Sequence, residues 1–167
     1  MKKQILTMLL LSAATAAGAA DLPKRKSGLW EITPTSSSAK GRDTSMTLCV
    51  DASSDQDMSQ QFKPMGQVKC SKQEQKVDGK RITFNSVCDI GKTTATTTGV
   101  ASGDFDKEYK VETKSTYNPP LGTVKESTNV ITAKWLGPCK AGQRPSDVVM
   151  SNGMTMNMND MMKMQKK

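Results

Sequence analysis

From residue 28 onward, apolar and polar residues alternate in short runs, and the runs are broken by Gly, Pro, Asn and Asp. This is the period of a half-buried strand, and helical spacing is almost absent. The pattern predicts seven strands, at about residues 28–33, 44–51, 67–77, 80–89, 92–102, 107–117 and 123–136. Alternation is clearest from Lys107 to Tyr117, where Tyr109, Val111, Thr113 and Tyr117 share one face and Lys110, Glu112 and Lys114 the other. In the last run the apolar set changes phase, from Val124 and Val130 to Ile131, Ala133 and Trp135, which predicts a β-bulge near Asn129. Between the second and third strands, Ser53 or Ser54 can cap a short helix running to Phe62, with Asp55 and Asp57 in its first turn. The fold class that follows is mainly β: a single curved antiparallel sheet or open β-barrel of about seven strands, with one short helix.

The strand pattern also bears on the four cysteines. Asp78-Gly79-Lys80 separates two strand-like runs and reads as a hairpin turn, because Gly79 tolerates positive φ. A three-residue loop centred on Gly79 sets Cys70 and Cys88 directly opposite each other. A two-residue loop would shift the register by one and leave them diagonal. The preferred pairing is Cys70 with Cys88, which leaves Cys49 with Cys139 and gives two disulfides. The cysteine spacing contains no C-x-x-C pair, so a zinc cluster or a thioredoxin-type redox pair is disfavoured.

The start of the chain has a different pattern. Lys2 and Lys3 precede an apolar run, Ile5 to Leu11, and a small-residue stretch, Ala13 to Ala20. This is the layout of a secretory signal peptide, too short to span a bilayer, with cleavage expected after Ala19 or Ala20. The expected organisation is a signal peptide at 1–20, a disulfide-bonded β domain at 21–140 and a Met-rich C-terminal tail at 141–167, with no transmembrane segment in the mature chain. The expected location is the periplasm, where disulfides form. The net charge is +8 from 24 basic and 16 acidic residues. Loss of the leader removes two lysines and leaves 22 − 16 = +6. An exported basic protein meets anionic lipid or acidic polymer rather than nucleic acid.

Candidate chemistry is sparse. The chain has no histidine, so it lacks the usual base of Ser-His and Cys-His hydrolases and any imidazole metal ligand. Its carboxylates are scattered among lysines. An enzyme is therefore not expected, and no cofactor is implied. The favoured reading is a non-enzymatic domain whose concave face binds a hydrophobic or amphipathic ligand, or part of an envelope protein, with Trp30, Phe84, Tyr109, Tyr117 and Trp135 lining the site. The alternative is copper handling. Soft thioether sulfur suits Cu(I), and Met154, Met156 and Met158 share one face if that segment is extended. The competing reading of those methionines is apolar packing.

Gly28-Leu29-Trp30-Glu31, Cys49-Val50-Asp51, Cys70-Ser71, Cys88 with Gly91, and Leu136-Gly137-Pro138-Cys139 together resemble DUF3617, a bacterial family of exported proteins of unknown function. The resemblance runs from about Gly28 to Cys139. It implies a periplasmic β domain with paired cysteines and brings no catalytic residues.

Overall fold

A computed structural model describes residues 23–38, 44–55 and 68–164. The signal-peptide stretch, and the part of the expected helix from residue 56 to Phe62, lie outside these residues. Nine strands form one antiparallel sheet: β1 (Gly28–Ser36), β2 (Met46–Val50), β3 (Lys69–Asp78), β4 (Arg81–Ile90), β5 (Thr93–Asp104), β6 (Glu108–Leu121), β7 (Val124–Gly137), β8 (Asp147–Met150) and β9 (Thr155–Asn157). Helix α1 spans Ala52–Asp55 and helix α2 spans Met158–Met164. The order across the sheet is β3-β4-β5-β6-β7-β1-β2-β8-β9, so β3 and β9 are its edges and it is not closed into a barrel.

One face carries the core. Trp30, Leu48, Val50, Ile82, Ala101, Tyr109, Val111, Ala133 and Val148 form a buried cluster with Phe105 from the β5–β6 turn. Ile82 on β4 and Val148 on β8 belong to the same cluster, so the sheet curls until its two wings share one interior. Each strand therefore needs only one apolar face, and the thin apolar content suffices.

The region beyond residue 140, expected to stand apart as a tail, supplies β8, β9 and α2. Val148 enters the core, and Met156 and Met158 pack against it. The two extra strands escape the sequence pattern because they are four and three residues long and lie among Gly, Pro and Asn. The expected bulge near Asn129 is also absent. The β6–β7 register runs unbroken from Glu126 to Lys134, and Ser127 and Asn129 take inward positions between Val124 and Ile131. The irregularity in β7 falls later, at Leu136, where β1 changes from pairing Trp135 to pairing Gly137.

Both predicted disulfides are present, and Cys70 faces Cys88. The route to that facing pair differs from the expected one. Asp78 pairs Arg81, so the loop has two residues, Gly79 and Lys80, and by itself would set the cysteines diagonally. A bulge at Ser71 inserts one residue into β3 and restores the alignment. The second bridge joins Cys49 on β2 to Cys139, just beyond β7, and so clamps both neighbours of β1.

Candidate functional site

Residues 25–28 carry little regular structure, yet they are fastened at every step. The Arg25 side chain donates from Nε to Asp55 at 2.8 Å and reaches the Tyr109 hydroxyl at 3.2 Å. The Arg25 amide donates to the other Asp55 oxygen. The Lys26 amide donates to the Phe105 carbonyl. The two tryptophans then hold consecutive carbonyls: Trp30 Nε1 donates to Lys26 at 2.8 Å and Trp135 Nε1 to Ser27 at 3.1 Å. A Cβ on Gly28 would collide with the Gly137 carbonyl and with the Trp135 indole nitrogen, so only glycine fits this crossing.

This fastening assigns different roles to the five aromatic residues read from the sequence. Trp30 is fully buried, lies 5.4 Å from Tyr109 between ring centroids, and is core. Tyr109 is core too, stacked on Phe105 at 5.2 Å. Phe84 lies over Gly99, filling the space that a side chain there would need. Tyr117 is half-buried and shares a hydrogen bond with Ser127 at 3.0 Å. Trp135 lines an open depression, and the edge of Tyr109 reaches the hollow next to it. The five are not gathered into one cleft, because the curl of the sheet fills the apolar end of its inner face with their own side chains.

The depression beside Trp135 has a volume of about 470 Å³ and is completed by Asp104, Lys107, Glu108 and Lys134. A neighbouring hollow of about 360 Å³ shares Glu108 and Lys134 and runs along the outer face past Glu31 and Lys110. Three segments meet here. The Trp135 amide donates to the Lys107 carbonyl, and the Lys26 ammonium stands 3.8 Å above the Trp135 ring centre. Lys26 thus covers one face of the half-buried indole, and Lys107 and Lys134 line the depression beside it together with Asp104 and Glu108; none of the three lysines forms a close ion pair among the described residues. Asp104 is held below the ordinary aspartate value by the Asp106 amide it accepts and by nearby Lys80. It is therefore a fixed negative charge on the rim. Sequence reading picked out Trp135 but not its lysines, since nothing local distinguishes them from the other lysines on wet strand faces.

A second feature was also hidden. Ser86, Thr97, Ser115 and Ser127 stand in register across four strands on the inner face. Thr97 and Ser115 are 2.8 Å apart, and Ser115 and Ser127 are buried. Ser127 bonds the Tyr117 hydroxyl instead, and Ser86 and Thr97 are half-buried, so the row serves mainly as interior packing with its polar groups partnered at Thr97, Ser115 and Ser127.

The methionines considered for copper do not share an extended face. Met154 is 51% exposed before β9, whereas Met156 lies in β9 and Met158 opens α2, both packed on the core. Among the described residues no cluster of His, Cys, Asp or Glu could hold a metal ion. No described helix is long and apolar enough to cross a membrane.

These features define a class: a disulfide-braced, one-sheet β protein with an open aromatic rim. Residues 25–139 match the family model described as "Protein of unknown function (DUF3617)", and the chain belongs to that family. No curated protein and no solved structure was found to match it. The two disulfides accord with an oxidising, exported compartment.

Proposed function

We propose that this is an exported, non-enzymatic binding domain of the periplasm that holds an amphipathic ligand at the Trp135 depression. The observation that carries the reading is the half-buried indole at an open depression, with Lys26 on its ring and Lys107 and Lys134 on the lining. An apolar body can lie on the ring and a polar or anionic head can meet the ammonium groups. The leader at 1–20 and the two bridges support export, and the lack of histidine supports a binding role over catalysis.

Tryptophan fluorescence tests this directly, because Trp30 is fully buried and Trp135 is the residue a ligand would touch. Titration with a long-chain fatty acid is expected to shift the emission of the parent protein and to leave Trp135→Phe unchanged. Native mass spectrometry of gently purified protein is expected to show a bound amphiphile. An empty protein whose emission ignores the fatty acid would end this reading.

A further inference from the structure

The opposite end of the sheet carries apolar side chains that the fold itself does not use. The β6–β7 hairpin extends past its regular ladder, which breaks between Thr116 and Leu121. Residues 118–123 at its tip are all exposed, Pro119, Pro120 and Leu121 among them, with Leu121 at 45%. The β4–β5 turn lies beside it: Thr94 pairs Asn118, and Thr93 pairs Ile90, which is 39% exposed. Two exposed aliphatic side chains and two prolines therefore sit at one end, with half-buried Tyr117 at their base. An apolar patch exposed on a rigid scaffold marks a contact surface.

Charge selects the partner. Lys92 in the β4–β5 turn and Lys125 at the start of β7 are exposed and form no ion pair among the described residues. Lys69 stands across from Asp89, so these two exposed charges cancel in number though they form no ion pair, and the Asp89 carboxylate accepts the Thr94 hydroxyl. Glu126 is bound to Lys114 at 3.3 Å. The charges left over are both positive. We infer that this end docks on an anionic lipid bilayer, with Leu121, Ile90 and the prolines entering the headgroup boundary and Lys92 and Lys125 meeting lipid phosphates. Aliphatic tip, flanking lysines and a tyrosine at the base are the chemistry of a membrane interface. This surface is separate from the Trp135 depression, and neither reading depends on the other.

Flotation with vesicles of phosphatidylcholine, with and without phosphatidylglycerol, tests the inference. The parent protein is expected to bind the anionic vesicles and to lose binding as salt is raised. Lys92→Gln/Lys125→Gln should bind about 30-fold more weakly, at about fivefold per lysine. Leu121→Ser should bind about tenfold more weakly. Leu136→Ser, an exposed position at the other end, should bind like the parent, and unchanged melting temperatures show that the variants fold. No binding to anionic vesicles, or equal binding by parent and tip variants, overturns the inference. So does a dimer in vesicle-free solution that Leu121→Ser dissolves, because the patch would then belong to a second copy of the chain.

Discussion

Arg25 and Asp55 are 30 residues apart in sequence, yet their side chains are each only 2% exposed and meet at 2.8 Å. Removing one partner of such a pair leaves a buried charge without compensation. Arg25→Ala is therefore expected to cost about 3–5 kcal/mol in urea unfolding, and Arg25→Met/Asp55→Leu much less, since it removes both charges. Asp147 behaves differently. Its carboxylate accepts the Asn157 side-chain amide at 2.8 Å and the Arg144 amide at 2.7 Å, and these bonds to the charged form hold its pKa below the ordinary aspartate value of 3.8. A lowered carboxylate stabilises the fold above the unfolded value, and that contribution is lost as pH falls through the folded one. The clasp between β8 and β9 should therefore loosen as pH falls below about 4, and Asp147→Asn should flatten that part of the melting-temperature profile.

At the scale of elements, the two bridges do different work. Cys70–Cys88 closes a separation of 18 residues and fixes the edge strand β3 to β4. Cys49–Cys139 closes 90 and braces β2 against the end of β7. On the chain-entropy model their contributions are about 3 and about 4.6 kcal/mol. Replacing Cys49 and Cys139 by alanine should thus lower the unfolding midpoint more than replacing Cys70 and Cys88. The smaller change should be local instead, with faster hydrogen exchange along β3. β3 is otherwise guarded as an edge, by Lys69, Lys72 and Lys76 and by the Ser71 bulge. Deleting Ser71 should straighten β3 while leaving Cys70 opposite Cys88 next to the Lys72–Val87 pair, so peptide mapping without reductant should still find the two joined.

At the scale of the whole molecule, the match to the family ends at residue 139, and β8, β9 and α2 follow it. β8 covers the edge of β2 through Met46, Thr47 and Leu48, and the Ser146 amide donates to the Cys49 carbonyl. A chain stopped after Lys140 would expose that edge and the inner face of Leu48. Size-exclusion chromatography should show such a chain associating or precipitating, because an open apolar edge recruits another strand. An unchanged monomer would mean that the last strands are dispensable.

Much of this molecule was legible in its sequence because a strand declares itself locally. The two-residue period, the turn residues and the cysteine count pointed to a β domain of one curved sheet or open barrel, to seven of its strands and to both disulfide pairings, although the Cys70–Cys88 pairing was reached through a loop one residue too long. The resemblance carried by Gly28-Leu29-Trp30-Glu31 and the cysteine segments pointed to the right family. Local pattern could not reveal the Ser71 bulge, since a single serine in a polar strand alters no periodicity and only the partner strand shows the added residue. It could not place β8 and β9, whose short runs become strands because β2 offers them an edge. Nor could it sort the aromatic residues. Trp30 and Trp135 look alike as sequence, but the curl of the sheet buries one completely and leaves the other on the rim beside Lys26 and Lys107 from two distant segments. Which apolar side chains are core and which are left for a partner is a property of how the faces close on one another, and that is settled only in three dimensions.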